Sequence, residues 1–253
     1  MVQEKIDYES IRSQKIKQYG TEFKDWIWIL VKQYKDRTHF LFELLQNAED
    51  ANAREIKIYL YHDRLEISHD GILFSKEDVI SITKVAKSTK MGTDNGNIGK
   101  FGIGFKSVYA YASTPRIYSG KYAFEIRDFI FPYEIEKISI RDWETKIIIP
   151  FDNGETPEDK AYSEIRRALH DQVSTNTILF LNNIDSVEIH IEDENDFIRI
   201  TKEDAEIDFS GNVLSVDLLY SHINAMDVSI QEKEETYLLF TDCEEEAVKL
   251  AAV

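Results

Sequence analysis

Five of the chain's ten glycines lie between Gly92 and Gly104, and this cluster constrains the fold of the 253-residue chain more than any other stretch. Glycine loses more backbone freedom on ordering than any other residue, so such a run disfavours both helix and strand. The cluster therefore predicts a loop that bends sharply or lets a ligand approach the backbone. Regular elements are expected on both sides of it.

Hydrophobic periodicity predicts these elements. We expect helices over residues 4–35, 39–52, 105–111 and 157–173, and a short one starting at Ser75. We expect strands over residues 55–61, 65–68, 116–119, 122–126, 145–149, 186–191, 197–200, 213–218, 228–230 and 237–240. This order predicts an α+β, two-layer sandwich with a mixed, mostly antiparallel sheet covered on one face by helices. The expected domain spans residues 1–195, with a helical extension over 1–35, and residues 196–253 form a β-rich extension or the start of a following domain.

Charge is distributed unevenly along the chain. The formal net charge is −17, and residues 1–120 carry 18 Lys and Arg against 16 Asp and Glu, whereas residues 121–253 carry 12 against 31. An acidic surface repels phosphate backbones, so nucleic-acid binding is not expected through this segment.

Apolar runs and cysteine content indicate the compartment. The longest apolar run, Trp26–Val31, is far shorter than the roughly 20 residues that cross a bilayer. The first residues lack the pattern of a secretory signal. Cys243 is the only cysteine and cannot form a disulfide within the chain. We expect a cytoplasmic protein without a membrane segment.

The segment Phe40–Ala51 predicts a helix with a polar stripe. At about 100° per residue, Glu43, Asn47 and Asp50 fall within roughly 60° of arc, beside an apolar stripe that would pack on a sheet. One helix would therefore present an acid, an amide and a second acid in a row. A surface helix with an ordinary polar stripe is the alternative.

The glycine-rich stretch Gly99–Ser107 runs directly into the helix predicted from residue 105. Small residues before a helix expose backbone N–H groups, which favour an anion. Neither a P-loop nor a dinucleotide fingerprint fits, because Lys100 is followed by Phe101 and the glycine order is GxxGxG. The other interpretation is a plain flexible loop.

Two further segments are only weak indicators of function when each is taken by itself. His69, Asp70 and Gly71 end a predicted strand, and Asp-Gly is common in turns. Thr145 begins another predicted strand, where threonine is common.

Taken in order, these four segments resemble the motifs of the GHKL (Bergerat-fold) ATPases over about residues 20–190. The detail is most similar to the ninety-kilodalton heat-shock chaperone branch and to the sacsin-like N-terminal ATP-binding domain within it. The sequence segments that carry this resemblance are Arg37–Ala48, Ala86–Lys90 and Phe101–Tyr109. The resemblance implies a Bergerat-type sandwich.

The resemblance also implies roles for the residues of the predicted helix. Glu43 would be the general base that orients and deprotonates water, a contribution of roughly 10²–10⁴ in rate. Asn47 would bind Mg²⁺ through its amide oxygen, and Asp50 would support the polar face beside the nucleotide.

At the base end, the resemblance implies that an acid and Gly71 recognise adenine. The family commonly has Asp-x-Gly here, and strict register puts His69 at the position of that aspartate. Because Asp70 is the acid next to Gly71, we assign adenine recognition to Asp70, with His69 as the rival. Thr145 would be the last position that contacts the nucleotide. Lys87 and Lys100 are candidate countercharges for the phosphates. The phosphate cradle would comprise Gly99, Lys100, Phe101, Gly102, Ile103, Gly104 and Phe105.

By this resemblance the chain is expected to bind ATP or ADP with Mg²⁺, to hydrolyse ATP slowly, and to couple closure of the glycine loop to a conformational change in a chaperone-like protein. Further domains, protein clients and a nucleotide-dependent dimer are the expected partners. A nucleotide-gated module without hydrolysis and a DNA-transaction ATPase are the alternatives.

Overall fold

The computed structural model describes residues 6–20, 37–84, 105–179, 181–192, 196–202, 206–207, 213–224, 229–241 and 248–252. Its α-helices are Tyr8–Tyr19 (α1), Phe40–Asp50 (α2), Lys76–Ile82 (α3), Glu158–Gln172 (α4) and Thr175–Leu179 (α5), with 3-10 helices at Arg37–His39 and Phe105–Ala110. Its strands are Glu55–Leu60 (β1), Arg64–His69 (β2), Arg116–Ser119 (β3), Tyr122–Arg127 (β4), Phe131–Glu134 (β5), Thr145–Pro150 (β6), Ser186–Ile191 (β7), Asp196–Lys202 (β8), Glu206–Ile207 (β9), Val213–Asn224 (β10), Ser229–Thr241 (β11) and Val248–Ala252 (β12).

The strands form one hydrogen-bonded sheet. Its order is β12-β11-β10-β8-β7-β1-β2-β6-β3-β4-β5, and β9 pairs with β10. Among the described strands only β1 and β7 pair in parallel, with Ile58 opposite Ile189, and every other pairing is antiparallel. The predicted α+β class with a mixed, mostly antiparallel sheet is confirmed. The ladder continues from β7 to β8 across the expected domain boundary at residue 195, and that boundary remains a prediction.

Alternation of side chains along the central strands gives the sheet one apolar face. Ile56, Ile58 and Leu60 of β1 are at most 1% exposed and belong to the same core as Leu41 and Leu44 of α2. Burial of one such side chain stabilises the fold by about 1.5–3 kcal/mol. The opposite face carries charged and aromatic residues, including Lys57, Tyr59, Glu66, Lys146 and Glu188. The described helices therefore all pack on one face of the sheet.

Local signals fix some helix ends. Ser75 caps α3 in a reciprocal capping box with Asp78, at the helix start that the sequence predicts. Arg37, just before α2, donates through Nη2 to the Ala110 carbonyl at 2.7 Å and lies over the Tyr111 ring. This contact holds the start of α2 against the end of the 3-10 helix Phe105–Ala110.

Several predicted elements differ from the structure. The helix expected over residues 105–111 is a 3-10 helix of six residues. Residues 229–230 and 237–240, expected in two separate strands, belong to the single strand β11, and residue 228 lies outside the described part. Strands β5, β9 and β12 and helix α5 were not predicted. Of the helical stretch expected over residues 4–35, the structure describes α1, and residues 21–35 lie outside the described part.

Helix α2 meets the end of β2 in a close backbone contact. The Ile72 N–H donates to the Ala51 carbonyl at 2.7 Å. A Cβ on Gly71 would lie 2.7 Å from the same oxygen, closer than real Cβ atoms approach. Only glycine therefore allows this approach without a backbone shift.

We expect Gly71→Ala to lower the free energy of unfolding by about 1–3 kcal/mol, because the added methyl group overlaps the Ala51 carbonyl. Urea denaturation measures the change. The adjacent Ile72 side chain is 66% exposed, so Ile72→Ala is the control and should stay within about 0.5 kcal/mol of wild type. A Gly71→Ala variant as stable as wild type contradicts the contact.

Candidate functional site

The polar stripe of α2 lies beside its buried face, as the 3.6-residue period requires. Glu43 is largely buried, with 19% of its side chain exposed, and its Oε1 lies 3.4 Å from Nε2 of His39 one turn earlier. Asn47 and Asp50 are exposed, and Asp50 Oδ1 accepts a hydrogen bond from Gln46 at 3.1 Å. The Asn47 amide has no hydrogen-bond partner among the described residues. The helix thus presents an acid held by an imidazole and an amide oxygen that can bind a ligand.

Glu49 is the acid on α2 that sequence reasoning missed. It is 6% exposed, and its carboxylate accepts from the backbone N–H groups of Asn182, Asn183 and Ile184 at 2.8–3.2 Å. The same carboxylate accepts from Asn183 Nδ2. Glu49 therefore anchors the segment before β7 to the helix. These partners lie 133–135 residues away, so no local signal could identify them.

The two rival residues at the end of β2 have different surroundings. Asp70 Oδ1 accepts from the backbone N–H groups of Arg54 at 2.7 Å and Glu55 at 2.9 Å, which fixes the start of β1. His69 is 6% exposed, and its Nδ1 accepts from the Gly71 N–H at 3.2 Å. Asp70 therefore has a role in the fold, and His69 belongs to the buried, helix-facing side.

Sheet register brings His69 next to Thr145. The two are direct partners in the β2–β6 ladder, and Thr145 is in turn opposite Ser119 of β3. The hydroxyls of Ser119 and Thr145 lie 2.6 Å apart, and Ser119 Oγ accepts from the Phe74 N–H at 2.9 Å. We call His69, Thr145 and Ser119 the polar row. Ser119 was missed by sequence reasoning, because only the register of β3 places it there.

Burial controls the protonation of His69. Desolvation lowers its pKa from 6.5 to about 4, and the nearby carboxylates of Asp70 and Glu144 oppose the shift without cancelling it. The imidazole is therefore neutral at pH 7.

The predicted phosphate site falls mainly on residues outside the described part: Lys87, Gly99, Lys100, Phe101, Gly102, Ile103 and Gly104. Phe105, the first described residue after them, is 3% exposed and starts the 3-10 helix that packs against α2. A six-residue 3-10 helix replaces the α-helix on which the dipole argument for an anion site relied.

Buried lysines hold both ends of the glycine-rich segment. Lys106 Nζ donates to the Ile82 carbonyl at 2.8 Å and to the Phe129 carbonyl, and Lys15 Nζ donates to the Thr83 carbonyl. Burial lowers the pKa of Lys106 well below its usual value and that of Lys15 to about 8. The backbone on both sides of residues 85–104 is therefore anchored in the core.

A cavity lies on the other face of the sheet, away from the polar stripe of α2. Its lining includes Lys57, Ser68, Trp143 and Lys146. Lys57 pairs with Glu188 at 3.0 Å and Lys146 with Glu66 at 3.2 Å, so both cations are already neutralised. Two of the predicted site residues, His69 and Asp70, also line this cavity, whereas Glu43, Asn47 and Thr145 do not.

Within the described ranges, no group of three or more His, Cys, Asp or Glu residues could hold a metal ion. The described helices also include none long and apolar enough to cross a membrane.

Glu49 and Glu43 allow a matched test of which acid on α2 stabilises the fold and which does not. We expect Glu49→Gln to lower the free energy of unfolding by about 1–3 kcal/mol, because it weakens bonds to buried backbone N–H groups. Glu43→Gln should change it by less than about 0.5 kcal/mol, since the ion-pair partner of Glu43 among the described residues is a half-exposed histidine. Chemical denaturation measures both, and equal losses would refute the distinction.

The low pKa of His69 predicts a pH dependence of stability. Between about pH 6.5 and 4 the unfolded chain binds a proton that the folded chain does not, so stability present above pH 6.5 is lost as the pH falls. At pH 5 the loss should be about 2 kcal/mol. Urea unfolding at pH 7.5 and 5 measures it. His69→Asn should lose less over this interval, and an identical loss would show that another group is responsible.

Part of the chain is similar to known proteins. The family described as the Sacsin domain matches residues 65–141, which begin in β2. The protein NO VEIN of Arabidopsis thaliana is 30% identical over 145 residues, covering 47% of this chain and 5% of that protein. Human sacsin is 32% identical over 113 residues, covering 38% of this chain and 2% of sacsin. The chain spans only these small shares of both relatives, and it is sacsin-like over the matched part.

Proposed function

We propose that the chain is a magnesium-dependent ATP-binding module that hydrolyses ATP slowly, and that nucleotide binding closes the glycine-rich segment and changes the conformation of a larger, chaperone-like protein. The observation that carries the proposal is the contact between Gly71 and the Ala51 carbonyl. It brings the end of α2 against the strand end that carries His69, whose ladder partner is Thr145. Three of the four segments expected to contact nucleotide are thus adjacent.

Asn47 fits a magnesium ligand. Its amide oxygen is neutral, exposed and without a partner among the described residues. Mg²⁺ takes oxygen ligands, keeps several waters and commonly uses one or two protein groups together with phosphates. Such an ion needs no protein cage, and when bound it would neutralise phosphate charge during transfer.

Glu43 is positioned for the role of base. Its carboxylate lies one turn before Asn47 on the same face of α2, and the contact with His39 holds its orientation. Protection from solvent on most of its surface favours proton transfer from an ordered water over exchange with bulk solvent. The polar row is the candidate surface for the base of the nucleotide. We favour its member His69 over the neighbouring Asp70, because the Asp70 carboxylate already accepts hydrogen bonds from Arg54 and Glu55 at the start of β1.

The Sacsin-domain similarity supports the sacsin-like part of the proposal, since the matched residues 65–141 include His69, Gly71 and Phe105. A nucleotide-dependent dimer and coupling to further domains or protein clients belong to the same proposal.

Single substitutions on α2 test the proposal. We expect Glu43→Ala to retain Mg·ATP binding and lose at least 100-fold in phosphate release, because roughly 10²–10⁴ in rate depends on the base. Asn47→Ala should weaken Mg·ATP binding about tenfold through loss of a metal ligand. Glu9→Ala, which removes an exposed acid on α1, is the control and should match wild type. Calorimetry and a phosphate-release assay against a no-enzyme blank measure the two effects.

The outcomes separate the alternatives. Saturable binding without phosphate release would replace the ATPase by a nucleotide-gated module. Wild-type hydrolysis by Glu43→Ala would disprove the base assignment, and salt-sensitive binding to DNA would favour a DNA-transaction ATPase.

A further inference from the structure

The cavity on the outer face of the sheet, which we call the outer cavity, has features that the proposed nucleotide function does not use. It has a volume of about 250 Å³ and lies between strands β1, β2 and β6 and the residues 141–144 that precede β6. Pockets for drug-sized ligands have volumes of about 300–1,000 Å³. The outer cavity therefore suits a smaller ligand, of about one ring with a short side chain.

Ser68 lies on the floor of the outer cavity. The residue is 6% exposed, and its Oγ has no hydrogen-bond partner among the described residues. Its ladder partners are Lys57 on β1 and Lys146 on β6. Their amines pair with Glu188 and Glu66, so neither serves the hydroxyl. A buried hydroxyl without a partner destabilises the fold, and a polar atom of a ligand would relieve this cost.

Three aromatic side chains line the outer cavity. The rings of Tyr59 and Tyr61 are stacked with their centroids 6.5 Å apart and an interplanar angle of 17°. Trp143 is 48% exposed, so much of its surface can still be covered. Aromatic rings pair favourably with other rings in offset or edge-to-face arrangements. These walls therefore favour a ligand with a planar ring.

Arg141 supplies a cation that no acid neutralises within the described part of the chain. Its guanidinium lies 5.1 Å from the centroid of the Trp143 ring and forms no ion pair there. Two lining acids are already engaged, since Asp70 accepts from two backbone N–H groups and Glu144 accepts from the Arg141 N–H at 3.2 Å. Glu55 is exposed. Because a guanidinium matches a carboxylate with two parallel hydrogen bonds, Arg141 favours a carboxylate ligand.

We propose that the outer cavity binds a small aromatic carboxylate. Arg141 pairs with the carboxylate, and Ser68 forms a hydrogen bond with a hydroxyl group on the ring. The ring itself contacts the aromatic side chains, namely Tyr59, Tyr61 and Trp143. This inference does not rest on the proposed nucleotide function, because Glu43, Asn47 and Thr145 do not line this cavity.

Calorimetric titration of the full chain with four probes tests the ligand class. We expect saturable binding of 3-(4-hydroxyphenyl)propanoate with a Kd below about 1 mM. Its amide, 3-(4-hydroxyphenyl)propanamide, lacks the charge and should bind at least about tenfold more weakly. The probe 3-phenylpropanoate lacks the ring hydroxyl and should bind about threefold more weakly. Tyramine has the same ring with an ammonium group and should bind more weakly than the propanoate.

Two substitutions test the residues. Arg141→Gln should weaken binding of 3-(4-hydroxyphenyl)propanoate at least about tenfold. Arg167→Gln makes the same change at an exposed position of α4, on the helical side, and should leave the affinity unchanged. Ser68→Ala should bind the propanoates with and without the ring hydroxyl equally well. It should also fold, because the Ser68 hydroxyl has no partner to lose among the described residues.

Three results would each overturn the inference: no saturable binding of 3-(4-hydroxyphenyl)propanoate, tighter binding of tyramine than of the propanoate, or wild-type affinity in Arg141→Gln. The second would mean that the acids Glu55 and Glu144 select a cation instead. A threefold preference for the hydroxylated probe that persists in Ser68→Ala would disprove the role of Ser68.

Discussion

The carbonyl group of Ala51 is the point on which the arrangement of the candidate site depends. It accepts the Ile72 N–H at 2.7 Å, and the missing side chain of Gly71 leaves room for the approach. Asn52 follows in the left-handed region at φ 56°, which lets the chain turn out of α2 towards β1. The Asp70 carboxylate then accepts hydrogen bonds from the backbone N–H groups of Arg54 and Glu55 at the start of that strand. One helix end and two strand ends are thereby fixed together.

This junction explains how the proposed catalytic and recognition groups could share a site although they lie far apart in sequence. Helix α2 supplies Glu43 and Asn47 on the face beside its apolar stripe. The ladder from β2 through β6 to β3 supplies the polar row on the helix-facing side of the sheet. The two groups are held by buried apolar packing, so they require no cross-link or metal for their position.

The elements that could be predicted from the sequence are those governed by local patterns. Ile56, Ile58 and Leu60 alternate with charged residues, and the structure buries all three. The period of α2 predicts its buried and polar faces, and Ser75 predicts the start of α3 through its capping box. These features depend on neighbours within a few residues, so sequence reasoning finds them.

Features that depend on distant partners could not be predicted. Glu49 was not singled out from the sequence, because the amides that donate to its carboxylate lie more than 130 residues away. Asp70 matched a base-reading acid in sequence, whereas its carboxylate holds the start of β1. The charged stretch of β11 shows no apolar alternation, and pairing with β10 keeps it extended. The 3-10 geometry of Phe105–Ala110 is a matter of packing against α2, which local propensity does not encode.

The central claim is that a nucleotide binds between α2 and the polar row. The most direct test follows the backbone amide NMR signals of the wild-type chain during titration with Mg·ATP. Our account predicts saturable shifts at Asn47, Gly71, Ile72 and Thr145, with the signals of Tyr59 and Glu188 on the outer face of the sheet unchanged. Shifts confined to that outer face, or none at saturating Mg·ATP, would contradict it.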